Sequence, residues 1–340
     1  MDQTPLQPQL PWYRRFSRRG LVVAVVFAAV CGMLAYAGTI RHSVSITNAL
    51  GFGTPTPSVP ADPNYAMPAQ DSNRLNILIM GIRGMDDPNA DNGGPLLTDT
   101  IQIFSYDKTT HKTAIVSLPR DLYLTVHDNV KDKINTIYEY GYYHSADPLK
   151  YVKEKFSEIS GVYINNVVIF DFSSFKDIID SVGGVDVTLD KPFSETEQWG
   201  YTFSLPAGPN HLDGQSALYY ARSRYTTSDF DRSRRQQQIM LALKDKLLKM
   251  NFFANPIQTF NILSTVRNDI KTDIGIWDIK QFLDLAKTVK TSDMVRYVIS
   301  TDNLVVQSTA NTKDTNNAYI LLPKSGDLMQ IKQEFQTILQ

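Results

Sequence analysis

Cysteine is nearly absent from this chain. Among 340 residues there is one, Cys31, so no internal disulfide can form, and cysteine-ligated zinc and iron–sulfur clusters are excluded. Histidine is almost as scarce. The five present include no His-x-x-x-His pair, the spacing that sets two imidazoles on one helical face for a catalytic zinc. Net charge is missing as well: 34 lysines and arginines face 35 aspartates and glutamates. No overall field draws the chain to nucleic acid, which is not expected as a partner, and any anion site must be local. There is no internal repeat. The 42% hydrophobic and 20% charged composition sets aside wholesale disorder, collagen and coiled coil. This length fits one large domain or two modest ones.

One long uncharged run is present. Residues 21–40 read LVVAVVFAAVCGMLAYAGTI, about 30 Å of helix at ~1.5 Å per residue, enough to cross a bilayer. Arg14, Arg15, Arg18 and Arg19 precede it and Arg41 alone follows. The positive-inside rule then puts residues 1–20 in the cytoplasm and the rest outside. A cleaved signal peptide is the rival, but its apolar core is usually only ~7–15 residues. A single-pass, uncleaved membrane anchor is therefore expected, and both readings export residues 41–340. Residues 41–74 follow as a spacer, its five prolines (Pro55, Pro57, Pro60, Pro63, Pro68) barring helix and central strand. A domain over 75–305 is expected next, with a weakly patterned segment, 306–340, packed on it or trailing it.

Within the domain, apolar runs alternate with helical patterns. Strands are expected at 76–80, 99–105, 113–118, 166–170 and 185–189. The second and third form a hairpin across the polar turn 107–112. Helices are expected at 135–143, 148–157, 173–180, 213–220, 232–249 and 276–289, the third stopped by Gly183–Gly184. This predicts a mixed α/β fold, a central mixed sheet flanked by helices.

The chemistry-bearing residues fall in three groups. Five arginines lie between 222 and 235: Arg222, Arg224, Arg232, Arg234 and Arg235. If 221–225 is extended, Arg222 and Arg224 project to one side. On a helix from Arg232, residues 232, 235, 236, 239 and 243 share a face, with Arg234 turned to solvent. Guanidinium forks suit a phosphate or pyrophosphate, although a solvated basic stretch paired with Asp229 and Asp231 would look the same. The second group is Asp99 at the head of its strand, after an acidic loop carrying Asp86, Asp87 and Asp91. Such carboxylates suit a magnesium ion that keeps positions for water and phosphate, or they only cap turns. The third is Arg120–Asp121, thrown into a loop by Pro119 at a strand end, where sites are commonly built.

In chain order the motifs are TDTI (98–101), SLPRD (117–121), KIN (133–135), FDFSSF (170–175), GGVDV (183–187), LDGQSALYYARSRY (212–225) and DRSRRQQQ (231–238). Together, over about 76–248, they resemble the LytR-CpsA-Psr family of cell-wall phosphotransferases. The resemblance implies transfer of a glycopolymer, such as teichoic acid or capsular polysaccharide, from a polyprenyl-pyrophosphate carrier to peptidoglycan. It further implies Mg²⁺ and a catalytic domain outside the cytoplasmic membrane. Carried over motif by motif, Asp99 is the strand metal ligand, with Asp87 the working choice among the loop aspartates for the second. Arg120, Arg222, Arg224, Arg232, Arg235 and Gln236 bind the pyrophosphate, and Asp121 orients or deprotonates the acceptor hydroxyl. Two departures stand out. Leu97 occupies a place where most members have arginine, a contact Arg83 could supply, and Arg83 itself stands where most have aspartate. The apolar faces of 166–170 and 239–243 are candidates for a lipid channel or for ordinary core. Two further classes remain open: a hydrolase of the same pyrophosphate lipid, and a non-catalytic anchored binder of anionic wall polymers.

Overall fold

The computed structural model describes residues 67–87, 94–127, 129–250, 270–275, 285, 288–308 and 318–340. The expected anchor at 21–40, most of the spacer, Asp91 and most of the expected helix 276–289 lie outside these residues. Among the described residues no helix is long and apolar enough to cross a membrane.

The centre is a six-stranded mixed sheet. β1 (Arg74–Ile82) pairs antiparallel with β2 (Thr98–Asp107), which pairs antiparallel with β3 (Thr113–Ser117) through the expected hairpin. On its other side β1 pairs parallel with β6 (Asn166–Phe170). β11 (Lys271–Thr272) and β12 (Val295–Val298) close the edges, giving the order β11-β6-β1-β2-β3-β12. Four hairpins or pairs lie around it: β4 (Tyr123–His127) with β5 (Val130–Lys133), β7 (Val185–Leu189) with β10 (Gly208–Leu212), β8 (Phe193–Glu195) with β9 (Phe203–Leu205), and β13 (Val305–Ser308) with β14 (Ile320–Pro323).

Because strand side chains alternate, the sheet has two buried faces. Leu78, Met80, Ile101, Ile103, Val116, Val167 and Ile169 face one core. That core is covered by α1 (Ile137–His144), by α2 (Pro148–Ser160) through Val152, Phe156 and Ile159, and by α6 (Met329–Thr337) through Ile331 and Phe335. Leu75, Ile77, Tyr106 and Ile115 face the other way, toward Leu241 of α5 (Asp229–Lys249). A third cluster joins α5 to α3 (Phe172–Ser181), α4 (Gly214–Arg222) and the β7–β10 ribbon. Gly214 allows α3 and α4 to touch. Its N–H donates to Asp180 Oδ1 at 2.7 Å, and a Cβ there would lie 2.5 Å from the Lys176 carbonyl oxygen.

The weakly patterned C-terminal segment is built into the domain. Phe335 is fully buried and its carbonyl accepts from the Arg74 guanidinium at 2.6 Å. Leu321 donates its N–H to the Asp121 carbonyl at 2.9 Å and bridges Leu122, so this segment props the loop that carries Arg120. Phe335→Ala is expected to destabilise the fold by about 3–5 kcal/mol, read by urea denaturation. A loss under about 1 kcal/mol would mean that the segment only trails.

Candidate active site

A cavity of about 1110 Å³ opens between the second sheet face and α3, α4 and α5. Along β1, β2 and α5 its residues sort into a polar end and an apolar end. Six cations, Arg83, Arg120, Lys133, Arg222, Arg224 and Arg232, line it against two carboxylates, Asp99 and Asp121. The apolar end includes Ile77, Ile79, Val168, Ile239, Met240 and Leu243, while Phe170 sits level with Thr100. The two segments singled out as channel candidates therefore face one cavity. Leu97 lines it too, and so does Arg83, so the end of β1 delivers a guanidinium to the cavity that Leu97 does not.

Each polar group is placed by its element. Asp99 stands near the start of β2 and is ion-paired with Arg120. Burial acts to raise its pKa, but Arg120, Arg232 and Arg222 outweigh burial and hold it below the usual carboxylate range. Arg120 leaves the end of β3 and is shared among Asp99, Asp121 (3.5 Å) and Asp229 (3.9 Å). Burial alone would lower its pKa, and these three acids raise it instead. Asp121 is 5% exposed, and its two oxygens meet Lys133 Nζ at 2.6 Å and Arg120 Nε at 3.5 Å. Asp121 lines the cavity, as the loop position implies, and it ties Arg120 to Lys133 through these ion pairs.

The Arg-Ser-Arg segment is not a strand. Arg222 ends α4 and Ser223 caps it with extended backbone. The two guanidiniums still line one cavity because the chain turns between them. Gln198 holds that turn, donating Nε2–H to the Arg222 carbonyl (3.2 Å) and accepting the Arg224 N–H (2.9 Å). Glu195, fully buried, accepts the N–H groups of Tyr225 (3.0 Å) and Thr226 (3.3 Å). Arg222 lies 4.0 Å over the Phe172 ring and 5.2 Å from the Trp199 ring. Burial depresses its pKa, and the pull of Asp99 and Asp87, set against the repulsion of Arg83 and Arg232, does not make up for it.

On α5, Arg232, Gln236, Ile239, Met240 and Leu243 line the cavity. Arg232 is 4% exposed, with Asp229 at 3.0 Å and the Asp99 carbonyl at 3.4 Å. Arg234 is turned outward and pairs with Asp231 at 2.7 Å, as expected. Arg235 departs from expectation. It points under α4, donating to the Tyr220 carbonyl (2.8 Å), the Ser223 carbonyl and Thr227 Oγ1 (3.2 Å), with Phe193 and Tyr220 rings beside it. Burial pushes it down to about 10, still charged at neutral pH. Arg235 therefore fastens the segment bearing Arg222 and Arg224, and it is not among the cavity-lining residues.

Sequence reasoning passed over Lys133 and Asn135 as site residues, treated Asp229 as a mere surface partner, and missed Gln102. Asp229 is the hub acid, within 3.0 to 3.9 Å of Arg232, Arg224 and Arg120. Among the described residues the buried side-chain atoms without a hydrogen-bond partner are Gln102 Nε2 and Oε1, Arg120 Nε, Asn135 Oδ1, Asp229 Oδ1 and Arg232 Nε. Four of these five residues line the cavity, and the fifth is ion-paired to arginines that do. Such atoms are rare in native proteins and ask for a missing partner.

For a divalent cation the cavity wall offers Asp99; Asp87 is not among the lining residues but, like Asp99, is near enough to Arg222 to act on its pKa. Among the described residues no group of three or more acidic, histidine or cysteine side chains could cage an ion. One or two carboxylates are enough for magnesium, which would supply positive charge beside a phosphate.

Residues 34–336 match the family model LytR_cpsA_psr. The chain is 30% identical over 210 residues to the Enterococcus faecalis protein named polyisoprenyl-teichoic acid–peptidoglycan teichoic acid transferase TagU, covering 61% of this chain and 64% of that protein. It is 28% identical over 210 residues to Staphylococcus aureus regulatory protein MsrR, covering 61% and 58%. The chain thus spans less than two thirds of these curated relatives. The crystal structure of B. subtilis TagV superposes with a TM-score of 0.61 at 25% identity, over 79% of this chain and 98% of that one.

Two outcomes are expected. Because the folded pKa of Asp99 lies below its unfolded value of about 3.9, its stabilisation is full above that value and lost as pH falls through the folded one. Asp99→Asn should lower the urea midpoint at pH 7, and the gap from wild type should close as the solution is acidified below about pH 4. Arg235→Gln should lower the melting temperature by several degrees, whereas Arg222→Gln should leave it unchanged or raise it, since burying the Arg222 charge costs more than its neighbouring acids return. Calorimetry of the two variants checks the contrast.

Proposed function

The chain belongs to the LytR_cpsA_psr family, and from that membership and the cavity we propose a phosphotransferase anchored outside the cytoplasmic membrane by residues 21–40. It moves a glycopolymer such as teichoic acid from a polyprenyl-pyrophosphate carrier to a peptidoglycan hydroxyl, forming a phosphodiester and releasing polyprenyl phosphate. The carrying observation is the coincidence of six cations and several unpartnered buried polar atoms at one end of a cavity whose other end is apolar. A ligand with a diphosphate head and a hydrocarbon tail is complementary to both ends. The relative named a teichoic acid transferase supports the same reading.

In this reading Arg120, Arg222, Arg224 and Arg232 engage the diphosphate, with Arg83 beside them and Gln236 lower on α5. Their charge stabilises the leaving phosphate as the bridging P–O bond breaks, so catalysis is largely positioning and electrostatics. Lys133 and Asp121 keep Arg120 extended toward the head. Asp99 and Asp87 would hold Mg²⁺, which when bound supplies charge neutralisation on the phosphate oxygens. The apolar end shelters the first isoprene units and excludes water from the reacting phosphorus, favouring a sugar hydroxyl over hydrolysis.

The test is transfer of a short-chain prenyl-pyrophosphate glycan to peptidoglycan fragments by purified protein. Arg222→Gln and Arg232→Gln should each reduce turnover by roughly 10²–10³-fold without loss of fold. Retained wild-type turnover in both would end the assignment, and free glycan phosphate as sole product would make the protein a hydrolase.

A further inference from the structure

Gln102 stands where the cavity changes character. It is 1% exposed, lines the cavity, and neither its amide nitrogen nor its amide oxygen has a hydrogen-bond partner. In the sheet it lies directly between Ile79 of β1 and Ser117 of β3, and the row continues to Val168 of β6. Ile79 and Val168 line the same cavity. The Ser117 hydroxyl already accepts from Gln237 Nε2 at 2.8 Å. Toward the polar end the next residue on this face is Thr100, followed by Asp99, whose carbonyl meets Arg232. At about 3.3 Å per residue, Gln102 is roughly 7 Å along the strand from Thr100, one step below the guanidinium layer.

An apolar side chain would suit these neighbours better, since an unpaired buried amide is destabilising. A partner that arrives with a ligand would remove that cost. In the transferase reading, on which this inference rests, the guanidiniums engage the diphosphate, and the part of it that faces the apolar end is the lipid-side phosphate. We infer that Gln102 binds this lipid-side phosphate, donating Nε2–H to one of its oxygens while Oε1 accepts from a water bridging to the same group. Gln102 thereby holds the prenyl phosphate in register as it becomes the leaving group, and it distinguishes a phosphorylated lipid from an unphosphorylated one.

The experiment measures equilibrium binding of geranylgeranyl phosphate and of geranylgeraniol to the full chain in detergent, for wild type, Gln102→Leu and the near-isosteric Gln102→Glu. Gln102→Leu should bind the phosphate about tenfold more weakly and the alcohol at least as well as wild type, and its ligand-free melting temperature should rise. Gln102→Glu should lose more phosphate affinity than Gln102→Leu, because its charge repels the ligand. Equal phosphate affinity in wild type and both variants would overturn the Gln102 assignment while leaving the transferase reading in place. So would a lowered melting temperature with parallel loss of phosphate and alcohol binding, the mark of a structural glutamine. Wild-type protein that binds no prenyl phosphate would overturn the transferase reading, and this inference with it.

Discussion

Arg232 lies buried near the start of α5 with Asp229 3.0 Å away and the Asp99 carbonyl on its other side, and the cavity is arranged around that pairing. Burying a guanidinium demands compensation. Here compensation is supplied sparingly, by acids that are each shared: Asp99 with Arg120, and Asp229 among three arginines. The wall is consequently cationic at its polar end, and burial of those charges depresses the pKa values of Arg222 and Arg232. An anion entering the cavity relieves a strain that the folded chain already carries, so part of its binding energy is set up before it arrives.

Such a cluster persists only if the surrounding structure holds it. The sheet fixes Asp99 and Gln102 by register, Gln198 and Glu195 grip the turn after α4 from one side, and Arg235 grips it from below. The loop bearing Arg120 is pinned by Lys133 through Asp121 and by Leu321 through the backbone. Gln198, Glu195, Arg235 and Leu321 all bond to backbone groups, which fixes the position of a guanidinium without neutralising it. That division explains how the site stays both rigid and hungry for anions.

The central strands and main helices were legible because their signals are local: alternation in 99–105, the polar turn after it, and the helical face from Arg232 onward. Legibility failed where contacts are distant. β4, β5 and β14 are short, and α6 carries a weak apolar stripe. Each is stabilised by partners far along the chain, as when Phe335 meets Arg74. At the site, the residue types that ask for phosphate were visible, but direction was not. Arg235 shares the face pattern of Arg232, yet the C-terminus of α4 captures it. Asp121 reads as a free loop carboxylate until Lys133, twelve residues on, closes over it. Gln102 in an apolar strand carries no warning in the sequence, since only the three-dimensional count of partners reveals that it has none.

One helix spans the whole gradient of the cavity. Arg232, Gln236, Ile239, Met240 and Leu243 descend α5 from the guanidinium end into the hydrocarbon end, and eleven residues at ~1.5 Å each make about 16 Å. The helix thus acts as a ruler whose markings are chemically different at each turn. A single inserted residue would swing every marking beyond it by about 100°, turning the greasy steps away from the lumen while the charged ones stayed put. Length variants that keep the ruler readable must therefore add or remove nearly whole turns, and variation in chain length belongs in the surface loops.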